Sequence, residues 1–166
     1  AMAAAFVTSE IKLFHLPFGG SITLFSMLFL VLIGYWYGLR AGLMTAIAYG
    51  FLQLVSDPYI ISIPQMLVDY TLAFGALGLS GLFSNAKNGL VKGYIAGVLG
   101  RYFFAFLSGM IFFGAYAADY GMSAPVYSLV YNGIYLSVEA VLTLIVLYLP
   151  PVKKVMGQLK TMATQR

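Results

Sequence analysis

Asp69 is a carboxylate set in an otherwise apolar stretch of membrane length, Ile63 to Leu82 (IPQMLVDYTLAFGALGLSGL). An acid inside such a segment is costly, and a functional site is the default reading. Gln65 lies one turn above it on the same helical face. A second segment carries Asn132, with Tyr127 and Ser128 about one turn above it. Counted at ~1.5 Å per residue from the outward ends, Asp69 lies about 9 Å deep and Asn132 about 10 Å deep, so two polar groups on different helices share a level. Tyr59, Tyr70, Phe112, Phe113, Tyr116, Tyr120, Tyr127 and Tyr131 crowd the same end of the molecule. A carboxylate, an amide and several ring faces suit a small, flat, nitrogen-rich or cationic heterocycle, which the acid would pair with while the rings stack on it. Tyrosines near membrane ends also form interfacial belts, and a lone Asn in a membrane helix also serves as hydrogen-bonding glue between helices.

Arg101 and Glu139 call for the opposite reading. The same count puts them about 18 Å and 21 Å from the outer surface, where a structural ion pair between two helices would neutralise both. Enzyme signatures are missing: there is no HExxH, no GxSxG and no phosphate loop, and the single His15 has no triad arrangement around it. Glu10 with His15 is too little for a metal site, and no cofactor is expected.

Helices must hold these groups. With 61% of 166 residues hydrophobic and 8% charged, the chain lacks the charged surface of a water-soluble domain. At roughly 20 residues per crossing, this length allows about six transmembrane helices in one domain, residues 1–166, with short loops. The absence of cysteine excludes disulfides and thiolate chemistry, and no Lys/Arg cluster with exposed aromatics points to nucleic acid. The start, AMAAAF, lacks the basic flank of a signal peptide and reads as a point partway into a first helix. The predicted helices run from the start to about Phe14, from Ile22 to Tyr37, from Leu43 to Val55, over the Ile63 stretch, from Leu90 to Phe113 and from Pro125 to Leu149. Pro150 and Pro151 end the last one before a basic tail. Ala73, Gly75, Ala76, Gly78 and Gly81, and again Gly93, Ala96, Gly97 and Gly100, give faces on which helices approach closely. Arg40, Lys87, Lys92, Lys153, Lys154, Lys160 and Arg166 lie on one side, against Asp57 and Asp119 on the other. The positive-inside rule therefore places both termini in the cytoplasm and the aromatic end outside.

Five stretches resemble a known family: FGGSITL (18–24), GLRAGL (38–43), VDYTLAFGALGLSGLF (68–83), RYFFAFLSGMIFFGAYA (101–117) and VYSLVYNGIY (126–135). Taken in order they cover nearly the whole chain, and it resembles the substrate-binding S components of energy-coupling factor (ECF) vitamin transporters, within them the thiamine-specific type. The resemblance implies a six-helix protein that catches a vitamin from outside and docks on a shared transmembrane coupling subunit with two cytoplasmic ATPases. It places the family's pocket acid on Asp69 with Tyr70 beside it, its loop tyrosine on Tyr59, and its helix 6 pair on Tyr127 and Asn132. A small-residue docking motif of helix 1 corresponds to the run from Ala1 to Ala5.

Two departures widen the expected ligand class. A histidine typical of the thiamine proteins is Ala105 here, and a frequent tryptophan is Phe113, so the pocket loses a polar group and stacking area. The expectation is thiamine, hydroxymethylpyrimidine or a pyridoxine-like vitamer, bound by Tyr59, Gln65, Asp69, Tyr70, Phe113, Tyr127 and Asn132, with loop 1 closing over it. The rival readings are a self-sufficient secondary transporter, which would show internal repeats or broken helices at the midplane, and a membrane-embedded enzyme, which would need an ionisable pair with water access. The site is placed in a bacterial plasma membrane.

Overall fold

The computed structural model describes residues 1–15, 21–23 and 25–165, with His15 described by its backbone alone. The elements are α1 (Met2–Glu10), β1 (Lys12–His15), β2 (Ser21–Thr23), α2 (Ser26–Tyr37), α3 (Leu39–Ser56), α4 (Ile63–Phe83), α5 (Gly89–Phe112), α6 (Ala124–Tyr148) and α7 (Pro150–Thr164). Four of them, α3 to α6, are long and apolar enough to cross a membrane, while α2 is apolar but has 12 residues.

The chain between α1 and α2 departs from the all-helical expectation. The first helix stops at Glu10 rather than Phe14, and β1 and β2 form an antiparallel pair, Lys12 opposite Thr23 and His15 opposite Ser21. Glu139, on α6, explains why α2 starts at Ser26 and not at Ile22. Its carboxylate accepts from the Thr23 hydroxyl (2.6 Å), the Ser26 hydroxyl (3.1 Å) and the Met27 backbone N–H (3.0 Å). A helix start leaves N–H groups unpartnered and carries partial positive charge, and here an acid from another helix satisfies both. Phe25, just before α2, turns the chain in the left-handed region at φ 61°.

The α4 helix changes width along its length. Ser62 caps its start by accepting from the Gln65 N–H. Residues 67–72 then widen into a π-helical turn that includes Asp69 and Tyr70. Residues 76–83 tighten into a 3-10 helix. The tight part is the small-residue half of the sequence and lies against the α2–α3 turn. A Cβ on Gly78 would sit 2.5 Å from the Gly42 carbonyl carbon and the Leu43 nitrogen. Close backbone approach of this kind excludes any larger side chain. Ser80 adds a hydrogen bond across the contact, its hydroxyl donating to the Val31 carbonyl at 2.9 Å.

On the tail, Pro150 and Pro151 do more than end a helix. Leu149 takes the extended backbone that a following proline favours, and the prolines occupy the first turn of α7, where a missing N–H costs nothing. Val152 and Met156 pack back on the core. Lys160 donates to the Ser84 carbonyl and lies over the Tyr35 ring at 4.0 Å.

Candidate functional site

The two strands, α1, the start of α2 and parts of α3 to α6 line a cavity of about 150 Å³. All seven residues expected at the ligand line it: Tyr59, Gln65, Asp69, Tyr70, Phe113, Tyr127 and Asn132. What each contributes follows from its remaining bonding capacity.

Gln65 is buried and fully used. Its amide donates to the Asp69 carboxylate oxygen Oδ2 at 2.6 Å and to the Tyr59 carbonyl at 3.1 Å, while its own carbonyl accepts from the Ile61 N–H at 3.0 Å. It fixes the acid and ties the 59–61 segment over the start of α4. Tyr70 ties the same segment from below: its phenol accepts from the Tyr59 N–H (2.8 Å) and donates to the Asp57 carbonyl (3.1 Å). Asn132 likewise spends its amide on the Ala105 carbonyl (3.1 Å) and the Ser128 carbonyl (2.9 Å), and accepts from the Tyr135 phenol (3.0 Å). In this arrangement Asn132 joins α5 to α6. The carboxylate of Asp69 lines the cavity with its Oδ2 held by the Gln65 amide.

Aromatic rings form the upper wall. Tyr59 stacks on Phe113 with 5.8 Å between centroids and 25° between planes. Inserting another ring between two faces needs about 7 Å, two carbon contact distances, so the gap between these two rings as they stand admits no third ring. Tyr127 is flanked by Tyr120 (5.4 Å) and Tyr131 (5.8 Å), and Tyr131 meets Tyr135 edge-on at 5.9 Å. Burial pushes the Tyr59 phenol up, followed by the neighbouring Tyr116, so Tyr59 stays a neutral donor.

Two expectations require correction. Arg101 and Glu139 do not pair: among the described residues the ion pair is that of Lys12 with Asp57. Glu139 is consumed at the start of α2, as described above, and Arg101 turns its guanidinium over the Phe74 ring, 4.3 Å from the centroid, and lines the cavity together with Asp69. The depth count missed this because it followed backbone levels, while an arginine side chain reaches several Å along a helix. Ala5, expected at a partner, is fully buried and its carbonyl accepts from the Tyr49 phenol at 3.1 Å, whereas Ala1 is exposed.

Lys12, Thr23, Ser26, Tyr49, Gln53, Phe74 and Tyr135 line the cavity without having been anticipated. The recurrence of Tyr127, Tyr131 and Tyr135 every four residues was a legible sign of one aromatic face. The loop 1 closure expected over residues 16–20 lies outside the described residues, although β1 and β2 contribute Lys12, Ser21 and Thr23 to the wall.

This architecture has relatives. A family model described as "Thiamine transporter protein (Thia_YuaJ)" matches residues 1–158. The chain belongs to the thiamine transporter family. It is 33% identical over 165 residues to the thiamine transporter ThiT of Bacillus subtilis (strain 168), covering 89% of this chain and 85% of that protein. It is also 33% identical over 129 residues to ThiT of Lacticaseibacillus paracasei, covering 65% of this chain and 64% of that one. A solved structure of ThiT from Listeria monocytogenes superimposes with a TM-score of 0.72 at 28% identity, over 90% of each chain. Membership in the thiamine transporter family, with four helices of crossing length, makes this a multi-pass cell membrane protein that works in transport and not as an enzyme.

Proposed function

We propose that this protein is the vitamin-capturing S component of an ECF-type importer and binds thiamine in the cavity beneath the Tyr59–Phe113 stack. The single observation that carries the reading is a chain-long match to the thiamine transporter family whose cavity presents an acid held in place by a buried amide. Asp69 Oδ1 accepts from the exocyclic amino group of the pyrimidine, and ring faces around the cavity enclose the heterocycles, with the cationic thiazolium gaining from nearby π faces. No covalent step occurs in this chain. It forms a single six-helix unit over residues 1–166, α1 and α2 counting as its two shorter helices, with both termini in the cytoplasm. A transmembrane coupling subunit and two ATPases supply the energy, docking against the exposed residues at the start of the chain, Ala1 just before α1 and Ala3 within it.

Calorimetry of the purified protein with thiamine, hydroxymethylpyrimidine and pyridoxine tests the ligand. Nanomolar binding of thiamine, about −12 kcal/mol, is expected, with the two smaller rings weaker. Binding of none of the three overturns the reading. Co-purification from membranes with a transmembrane subunit and two ATPases supports the importer; vitamin accumulation by vesicles holding this chain alone contradicts it.

A further inference from the structure

Arg101 carries a consequence beyond capture by Asp69. Its guanidinium has five N–H donors, lines the cavity, has no carboxylate within ion-pair distance among the described residues, and rests its face on Phe74. The Phe74 contact uses the guanidinium carbon's side, and a guanidinium presents its N–H donors around its edge. Phe74 is five residues beyond Asp69 on α4 and stacks on Tyr70 at 6.5 Å, which sets the guanidinium against the part of α4 that follows Asp69. One helical turn from Arg101 on α5 stands Ala105, whose small methyl side chain also lines the cavity. The charged residues of the wall are Lys12 and Arg101 against Asp57 and Asp69, and Lys12 and Asp57 are already paired with each other.

We infer that Arg101 is a ligand contact: a fixed donor at the deep end of the cavity that hydrogen-bonds a ring-nitrogen acceptor of the bound heterocycle while Asp69 accepts from its amino group. The two residues then read opposite polarities at two ends of one ring, and the guanidinium repels any second cation from the deep end. A pyrimidine bearing an amino group meets both demands, and the thiazolium is directed toward the aromatic mouth. This rests on the thiamine-binding reading above and adds to it which atoms of the ligand are recognised and in which direction the ligand enters.

The test crosses protein variants with ligand variants in a calorimetric cycle. The proteins are wild type, Arg101→Met and Arg101→Lys; the ligands are thiamine and two analogues in which one pyrimidine ring nitrogen or the other is replaced by C–H. Wild type is expected to lose about ten- to hundred-fold in affinity for one analogue, the range for a hydrogen bond to a charged group. Arg101→Met is expected to lose a similar factor for thiamine, and nothing further for that analogue. Arg101→Lys, which keeps the charge and a donor, recovers part of the loss. A merely structural arginine would weaken all three ligands equally, and that result, or unchanged thiamine affinity in Arg101→Met, overturns the inference. Failure of wild type to bind thiamine at all would instead overturn the capture reading. If Arg101→Met does not fold, the comparison of wild type with Arg101→Lys across the two analogues decides, because equal discrimination by both ring positions in wild type already refutes a directed contact.

Discussion

Glu139 gives the sharpest physical prediction, because its two readings differ in which partner suffers when it is changed. In the structure its carboxylate accepts three hydrogen bonds at the start of α2, from the Thr23 and Ser26 hydroxyls and the Met27 N–H. Thr23, Ser26 and Glu139 are all buried. Glu139→Gln keeps an acceptor for Met27 and loses the charge that strengthens all three bonds and meets the helix dipole, which amounts to about 1–2 kcal/mol. Glu139→Leu leaves three buried donors to find other partners, and the cost rises to about 3–5 kcal/mol. Thermal unfolding of the detergent-solubilised protein, followed by the near-ultraviolet signal of its tyrosines, ranks the two variants. The decisive step is a double-mutant cycle of Glu139→Gln with Arg101→Met. With no contact between the residues, the two effects add to within about 0.5 kcal/mol. A coupling energy above about 1 kcal/mol would restore the Arg101–Glu139 ion pair and refute the capping role.

Tyr70→Phe removes both bonds that the phenol makes to the 57–59 segment; a stability loss of about 1–2 kcal/mol is expected, together with faster dissociation of bound thiamine in stopped-flow fluorescence, and unchanged dissociation would show that the tether is irrelevant to the site. Gly78→Ala forces a methyl group to within 2.5 Å of backbone atoms of Gly42 and Leu43, so a loss of about 1–3 kcal/mol is expected by thermal unfolding, and a neutral result would mean that the α2–α3–α4 contact is looser than described. Lys12→Met breaks an ion pair whose Asp57 side is 57% exposed, so stability should change by less than about 1 kcal/mol and the change should vanish at high salt.

Much of the site was legible because buried polarity in a membrane chain is rare. Asp69, Gln65 and Asn132 stand out in apolar stretches, depth arithmetic placed Asp69 and Asn132 at a common level with Gln65 one turn above, and all three line one cavity. What each does was less legible, since that depends on bonds already spent: the amides of Gln65 and Asn132 are consumed by Tyr59, Asp69, Ala105 and Ser128, and no count of residues shows it. The β pairing of Lys12–His15 with Ser21–Thr23 was hidden by its shortness. The π-helical widening at residues 67–72 left no periodic sign, because a single wide turn shifts the apolar pattern by one residue. Arg101 and Glu139 were paired on backbone level alone, and the start of α2, which competes for the Glu139 carboxylate, became visible only once Thr23 and Ser26 were placed beside it.

The most direct measurement is the calorimetric titration of thiamine into wild type and Asp69→Asn. The substitution keeps the shape of the side chain and an oxygen for Gln65 to donate to, and removes the charge. The account predicts at least a ten-fold weaker dissociation constant for Asp69→Asn, about 1.4 kcal/mol or more, with unfolding temperature little changed. Equal affinity in the two proteins would contradict the claim that this carboxylate is what the cavity uses to hold the vitamin.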